Sequence, residues 1–299
     1  KINFMKFKSF GFGLSSVLAF GSIILLLLGV NLGIDFKGGT AIGVGFAEEV
    51  SIQEVRSSLK SVSVNENLID LSGEEIKYFG SQSDVMIKIK SLDNEPENFG
   101  QIIINHLYAS MSEKVPASKN DFILSLGSVS PKVGSELSGK AFWSVISALV
   151  LILFYISVRF EFRFALGAIL ALVHDVVITL GIFSLTGFEI TLSTVAAFLT
   201  IVGYSLNDTI VILDRIRENM KSSGTVMFES TINKSINQSL SRTLITSLTT
   251  LFVIIVLLLY GGEVIRPFAF TMLVGVIVGT YSSIYIASAL LATIYQSSK

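Results

Sequence analysis

The chain has no cysteine. That absence removes disulfides, thiolate metal sites and cysteine nucleophiles, and it leaves the compartment open, because an exported domain can fold without cross-links. Histidine is nearly absent too: His106 and His174 are the whole supply, so there is no paired-histidine zinc motif. No serine-glycine constellation sits inside an apolar run, as an intramembrane serine protease would require. Charge is scarce, at 15% of residues, and sums to −1. A nucleic-acid partner would call for a basic excess that is not there. Hydrolysis, metal chemistry and nucleic-acid binding are therefore not expected, and neither is a cofactor.

What is abundant is apolar. The chain is 51% hydrophobic with a mean hydropathy of +0.69, more than one soluble core with a polar shell can hide. Six runs are long enough to cross roughly 30 Å of hydrocarbon at about 1.5 Å per residue: Phe12 to Val30, Ala141 to Val158, Phe164 to Leu185, Ile190 to Leu213, Thr243 to Tyr260 and Phe268 to Tyr295. The last is overlong and is expected to tilt. The third and fourth are parted only by Thr186 to Glu189 and so should form an antiparallel hairpin. The first has basic residues ahead of it, like a signal peptide. Its length and its lack of a small-x-small cleavage site favour a retained anchor.

Lys1, Lys6 and Lys8 precede the first run, Arg159 and Arg163 join the second to the third, and Arg215, Arg217, Lys221 and Lys234 lie between the fourth and fifth. The opposite short loops hold only Arg266. This bias predicts cytoplasmic termini and an exported segment 31–140. That segment carries 10 basic and 15 acidic residues, the balance of a soluble domain. The expected plan is 1–30 as N-terminus and first membrane helix, 31–140 as an exported α+β domain, and 141–299 as a five-helix bundle. Within the domain, strands are expected at Gly39 to Phe46, near Asn67 to Leu71 or Ile76 to Phe79, at Asp84 to Lys90 and at Asp121 to Val129. Helices are expected at Ser51 to Lys60 and Glu95 to Met111. The order βαββαβ predicts a ferredoxin-like layer. The fold class is thus a membrane all-α bundle of six transmembrane helices with one periplasmic α+β domain.

Two glycine patterns need weighing as nucleotide sites. Gly134 to Ala141 has phosphate-loop spacing up to its last position, where Ala141 lacks the hydroxyl that binds magnesium. It is expected to be a loop leading into the second span. Gly33, Gly38, Gly39, Gly43 and Gly45 make no dinucleotide fingerprint and are expected to serve tight backbone geometry.

The informative residues are ionisable groups inside apolar runs, where a charge at mid-bilayer costs about 2.5 to 3.5 kcal/mol. These are His174, Asp175, Asp208 and Arg242. Asp208 lies seven residues before Arg215, roughly 10 Å inside the membrane edge. Desolvation there favours the neutral carboxyl and a neighbouring cation favours the charged one, the two controls a reversible proton carrier needs. Arg242 opens the fifth span and is within reach. The alternatives are a membrane-edge anchor for Arg242 and, for Asp208 with Asn207 and Thr209, an interhelical hydrogen-bond network. Asp175 fits a packing contact with His174 as well as it fits a proton role. Asp214, Arg215, Arg217 and Glu218 read as an ion-paired helix end.

Gly33 to Thr40 after the first span (GIDFKGGT) and Val202 to Asn219 along the fourth (VGYSLNDTIVILDRIREN) are more specific than physics alone. Both resemble the SecD/SecF family of protein-export membrane proteins, and the second resembles its SecF branch in particular. The six spans, the single domain after the first and the His174-Asp175 pair also fit the family layout. The resemblance implies membership in the resistance-nodulation-division superfamily, in which SecD and SecF together form a pseudo-symmetric bundle of twelve spans in the bacterial inner membrane. It implies that proton-motive force drives movement of periplasmic domains that hold or pull an unfolded preprotein. Asp208 is then the proton-carrying carboxylate and Arg242 its cationic partner, with Asn207, Thr209, Asp175 and His174 as further members of the pathway. The implied coupling ion is the proton. The implied partners are SecD, the SecYEG channel, YajC, YidC, the preprotein and membrane lipid. Two other functions are set beside this one: half of a proton-driven exporter of small molecules or lipids, and a non-transporting scaffold of the export machinery. One domain of this size is modest for an exporter that must build a drug-binding region.

Overall fold

A computed structural model describes residues 2–65, 67–92, 95–159, 162–223 and 228–296. Lys1, one of the residues used above for orientation, lies outside them. The chain divides into two compact units, Leu32–Ala141 and the combination of Lys1–Asn31 with Phe142–Lys299.

Helix α1, Lys8–Leu28, follows a short 3-10 turn at Met5–Phe7 and ends at Gly29, whose φ of 111° a side chain would resist. It begins before the apolar run because nothing between Lys8 and Phe12 breaks a helix.

The soluble unit contains α2 (Ile34–Lys37), β1 (Gly39–Gly45), α3 (Ile52–Ser58), β2 (Val62–Val64), β3 (Asn67–Ile69), β4 (Glu75–Phe79), β5 (Ser81–Ile89), α4 (Phe99–Ser110), α5 (Lys119–Phe122) and β6 (Ile123–Val129). Four strands form one sheet in the order β4-β5-β1-β6, every neighbouring pair antiparallel. The two segments between which the sequence left a choice are both strands: Asn67–Ile69 pairs with Val62–Val64 in a separate hairpin, while Glu75–Phe79 joins the main sheet. Alternation sets the faces. Ile42 and Val44 of β1 and Val85, Ile87 and Ile89 of β5 are buried against Ile103, Ile104 and Leu107 of α4 and Val55 of α3. Helix α4 starts at Phe99 and not at Glu95, because the Glu95 carboxylate is held in the preceding loop. It accepts from Thr40 Oγ1 at 2.9 Å and from Ser91 Oγ and the Leu92 N–H at 3.3 Å.

Gly38 and Gly39 show why this chain needs two glycines at the entry to β1. Both have positive φ, 77° and 133°. A Cβ on Gly38 would lie 2.8 Å from the Pro131 backbone, and one on Gly39 would lie 2.5 Å from the Ile89 carbonyl oxygen.

The remaining helices are α6 (Pro131–Arg159), α7 (Phe162–Leu185), α8 (Leu192–Ser223), α9 (Phe228–Tyr260), α10 (Gly262–Ser282) and α11 (Ser288–Gln296), the last two joined by a π-helical turn at Ser283–Ala287. With α1 they supply six helices long and apolar enough to cross a membrane. One expectation is corrected here: Gly134 to Ala141 is not a loop but the first turns of α6, which Pro131 opens in its favoured first position. Gly134 is small for a packing reason, since a Cβ there would lie 2.8 Å from the Phe36 carbonyl oxygen. The turn at Thr186 to Glu189 is fastened to the end of α1 by Ile190 N–H donating to the Asn31 carbonyl at 2.7 Å.

Lipid tails are as apolar as leucine, so helices in a membrane associate through close packing and hydrogen bonds. Small residues provide the close packing. Gly181 of α7 lies against Ser22 of α1, Gly275 of α10 against Ile201 of α8, and Gly279 of α10 against Ser205 of α8, each too close to admit a Cβ.

Candidate functional site

Where α7, α8, α9 and α10 meet, two carboxylates are surrounded by hydroxyls. Asp175, on α7, is fully buried. Its Oδ1 pairs with Nδ1 of the adjoining His174 at 2.9 Å. Its Oδ2 accepts from Ser205 of α8 at 2.5 Å and from Ser282 of α10 at 2.7 Å. The side chain thus ties three helices. His174 Nε2 is buried and has no hydrogen-bond partner among the described residues.

Asp208, on α8, is 3% exposed. Its Oδ2 accepts from Ser247 of α9 at 3.2 Å, and Ser247 in turn shares a 2.8 Å hydrogen bond with Thr280 of α10. The next residue, Thr209, shares a 2.8 Å bond with Ser283, the first residue of the π turn. Ser205, Asp208 and Thr209 are spaced i, i+3, i+4 and so present one face of α8. Ser205 meets Gly279 and Thr209 meets Ser283, while Thr280 and Ser282, between them in the chain, bond Ser247 and Asp175.

Arg242 does not touch this carboxylate. No ion pair joins it to Asp208 among the described residues. It lies on α9 five residues before Ser247, about 7.5 Å along the axis. There it lines a cleft of about 380 Å³ between α8 and α9, together with Ile210, Val211, Asp214, Arg215, Glu218, Gln238 and Ser239. Asp214 pairs with Arg217 at 3.0 Å and Arg215 with Glu218 at 2.8 Å. Asn207 stands apart: its side chain is exposed on the face of α8 turned away from α10, and no hydrogen bond to it occurs among the described residues. Of the sequence-derived candidates, then, Asp208 and Thr209 share one hydroxyl cluster, His174 and Asp175 form a second beside it, and Arg242 and Asn207 face outward.

Sequence reasoning passed over Ser205, Ser247, Thr280, Ser282 and Ser283. A single hydroxyl in an apolar helix is common and cheap, because it can bond its own backbone, as Thr280 does to Val276 O at 2.7 Å. The available signal was the spacing of Ser205 with Asp208 and Thr209, and the small or hydroxyl residues Gly275, Gly279, Thr280, Ser282 and Ser283 near the end of α10.

Helices of this length and apolarity, with buried carboxylates between them and a separate α+β unit between the first and second spans, define a multi-pass membrane protein. Residues 110–297 match the family model described as protein export membrane protein SecD/SecF, C-terminal, and residues 23–50 match the SecD/SecF GG motif. The chain is 45% identical over 294 residues to the protein translocase subunit SecF of Calditerrivibrio nitroreducens, covering 97% of this chain and 92% of that one. It is 39% identical over 289 residues to the subunit of the same name from Escherichia coli O157:H7, covering 96% and 86%. Among solved structures it is similar to SecDF from Thermus thermophilus, described as a translocon-associated membrane protein, with a TM-score of 0.84 and 37% identity. That alignment covers 99% of this chain and 39% of the SecDF chain. The chain belongs to the SecD/SecF family of protein-export membrane proteins. Gly38 and Gly39, whose geometry is described above, fall within its GG motif.

Proposed function

We propose that this chain is the SecF-like subunit of a protein-export complex of the bacterial inner membrane, and that protonation of Asp208 drives a movement of its exported domain. The observation that carries the reading is a carboxylate almost wholly buried between spans, held by a hydroxyl of α9 that is itself bonded to one of α10, with a polar cleft lined by a cation five residues along α9 from that hydroxyl. The Ser247 hydroxyl that donates to this carboxylate must rearrange when a proton arrives, which through Ser247 and Thr280 biases the packing of α8 against α9 and α10. Arg242, at the cleft, supplies the charge that returns Asp208 to the ionised form, and water in the cleft supplies the proton route.

The rest of the reading follows from the family and from charge. The termini are cytoplasmic and residues 31–140 periplasmic, as the basic residues require. The soluble unit is a ferredoxin-like βαββαβ domain, a reading supported by its order β4-β5-β1-β6 with helices between the strands. SecD is the partner, since the relatives include a SecDF chain of which this one spans 39%. The SecYEG channel, YajC and YidC complete the assembly, and the substrate is an unfolded preprotein emerging on the periplasmic side. The chain does no bond chemistry and binds no cofactor; the proton is the coupling ion.

The test compares late-stage preprotein translocation in vesicles with and without a proton gradient. Asp208→Asn keeps shape and hydrogen bonding but exchanges no proton, so it should abolish the gradient-dependent part while the variant still inserts and assembles. Full gradient-dependent stimulation by Asp208→Asn would leave Asp208 a packing residue and favour the scaffold function.

A further inference from the structure

The second carboxylate is better bonded than the first, and its bonds lead to the first. Asp175 Oδ2 accepts from Ser205 and Ser282, and its Oδ1 faces His174 Nδ1. Both serine hydroxyls donate to Oδ2, so that oxygen is used as an acceptor, while the direction of the Oδ1–Nδ1 bond depends on the tautomer of His174. Ser205 is three residues before Asp208 and four before Thr209. Ser282 lies between Thr280, which bonds Ser247 of the Asp208 cluster, and Ser283, which bonds Thr209. The helices have no slack at this level, since Gly279 admits not even a methyl group against Ser205. Directly beyond Ser282 the helix changes to a π turn, a feature that locally re-aims side chains.

We propose that Asp175 is a positioning residue for Asp208, fastening α7 to both α8 and α10 so that Thr280 and Ser283 are presented to Ser247 and Thr209. The proposal rests on the reading of Asp208 as the proton-carrying group. It assigns Asp175 a different duty: to accept hydroxyl bonds, not to exchange a proton. When the Asp208 cluster rearranges, α8 and α10 move relative to a point fixed on α7.

Acceptor and proton carrier are separated by isosteric replacement. The amide oxygen of Asp175→Asn accepts from both serines, whereas Asp175→Leu accepts from neither. Asp175→Asn should keep most gradient-dependent translocation, while Asp175→Leu should lose it by roughly two- to thirtyfold, the range seen for residues that couple sites without contacting the ligand. Ser205→Ala with Ser282→Ala should behave like the leucine variant, and serves as the test if that variant does not insert. An independent readout exploits the absence of cysteine: Thr209→Cys with Ser283→Cys places two thiols where two hydroxyls now share a hydrogen bond. Their rate of disulfide formation should be unchanged by Asp175→Asn and lowered by Asp175→Leu and by the double serine variant.

Loss of stimulation by Asp175→Asn as complete as by Asp175→Leu, with cross-linking unaltered, would overturn the proposal and make Asp175 a proton carrier. Unaltered cross-linking and stimulation in the leucine and double serine variants would overturn it as well. The Asp208 reading fails on a different result, full stimulation by Asp208→Asn, and the cross-linking rates then still decide whether Asp175 sets the local geometry.

Discussion

At the scale of single residues, the positions that fix this molecule are of two kinds, glycines that let backbones meet and polar groups that must be satisfied. Gly39 is the more demanding of the GG pair, because a Cβ would meet the Ile89 carbonyl oxygen, a backbone atom that cannot swing aside. Gly39→Ala should therefore destabilise the soluble unit by about 1–3 kcal/mol, the usual cost of forcing a side chain into such backbone geometry, plus the clash. Gly73→Ala, where a Cβ meets nothing within 4 Å, is the control. Thermal unfolding followed by protease resistance of the unit Leu32–Ala141 in the intact protein should show a lower midpoint for the first and not for the second. Equal midpoints would remove the structural account of the motif.

Glu54 offers a second residue-level check, outside the membrane helices. Its hydrogen bonds from Lys114, 2.9 Å to each oxygen, and from the Ser51 backbone hold its carboxyl below the ordinary glutamate range. A carboxyl lowered in the folded state contributes its stabilisation above its unfolded pKa and loses it as pH falls through the folded value. Lys114→Met should move the Glu54 titration upward, read by carboxyl NMR chemical shifts, so that this contribution is lost at a higher pH. An unmoved titration would mean that the ion pair does not persist in solution. Residues of this cost are also the ones legible in the sequence. His174, Asp175, Asp208 and Arg242 stand out because a charge in an apolar run is expensive. The serines and threonines that receive them do not, since nothing in a one-dimensional pattern says which hydroxyl will lie across from which carboxylate.

Among the elements, hydropathy revealed the membrane helices but not their ends. It stops where lipid stops, while a helix stops only where the backbone is broken. Helix α9 thus begins at Phe228 and not at Thr243, and α8 continues to Ser223, because the polar extensions contain no proline or glycine. The π turn at Ser283–Ala287 had no sequence signature, and of the β2-β3 hairpin only the second strand was offered, as an alternative, because three-residue strands are too short to show alternation. The polar extension of α9 has a use. Asn233 and Asn237, one turn apart, clasp the N-terminal strap: Phe4 N–H donates to Asn233 Oδ1 at 2.7 Å, Ile2 N–H to Asn237 Oδ1 at 2.9 Å, and Asn237 Nδ2 to the Ile2 carbonyl at 2.7 Å. Phe4 and Met5 are buried in the same cluster as Ile232 and Ile236, and Lys8 pairs with Glu229. Removing both amides in Asn233→Ala with Asn237→Ala should speed hydrogen exchange at the Phe4 amide by on the order of a hundredfold, from ~1 kcal/mol for each of the three bonds lost. Asn105→Ala, in the soluble unit, should leave that amide unchanged. Exchange at Phe4 as slow as in the parent would show that the apolar contacts hold the strap alone.

For the whole molecule, the surface of the membrane unit shows that this chain is not complete as lipid sees it. Its exposed faces are apolar along α1 and α6, where Val17, Phe20, Leu151, Phe154 and Val158 can face hydrocarbon. Along α9 they are largely apolar as well, with Ile245, Phe252 and Val256 exposed, but on α8 Thr200, Gly203 and Asn207 form an exposed stripe in mid-span, and Arg242 is exposed at the start of the apolar stretch of α9. An amide left to lipid in mid-span without partners costs free energy, and a guanidinium at the edge of the apolar run adds a smaller cost. A polar membrane partner covering α8 and α9 removes both costs, and the family points to a SecD chain as that partner. A photo-activated cross-linking residue at Asn207, in membranes that also contain the SecD-family protein, should therefore capture that protein, while the same probe at Val17 should capture lipid. The stripe runs on toward Ile210 and Val211 of the cleft that Arg242 lines, so a partner that covers Asn207 would also close one side of that cleft, proposed above as the proton route. Lipid adducts alone at Asn207 would mean that this face is open to the bilayer, and that the proton route must be sealed by residues of this chain.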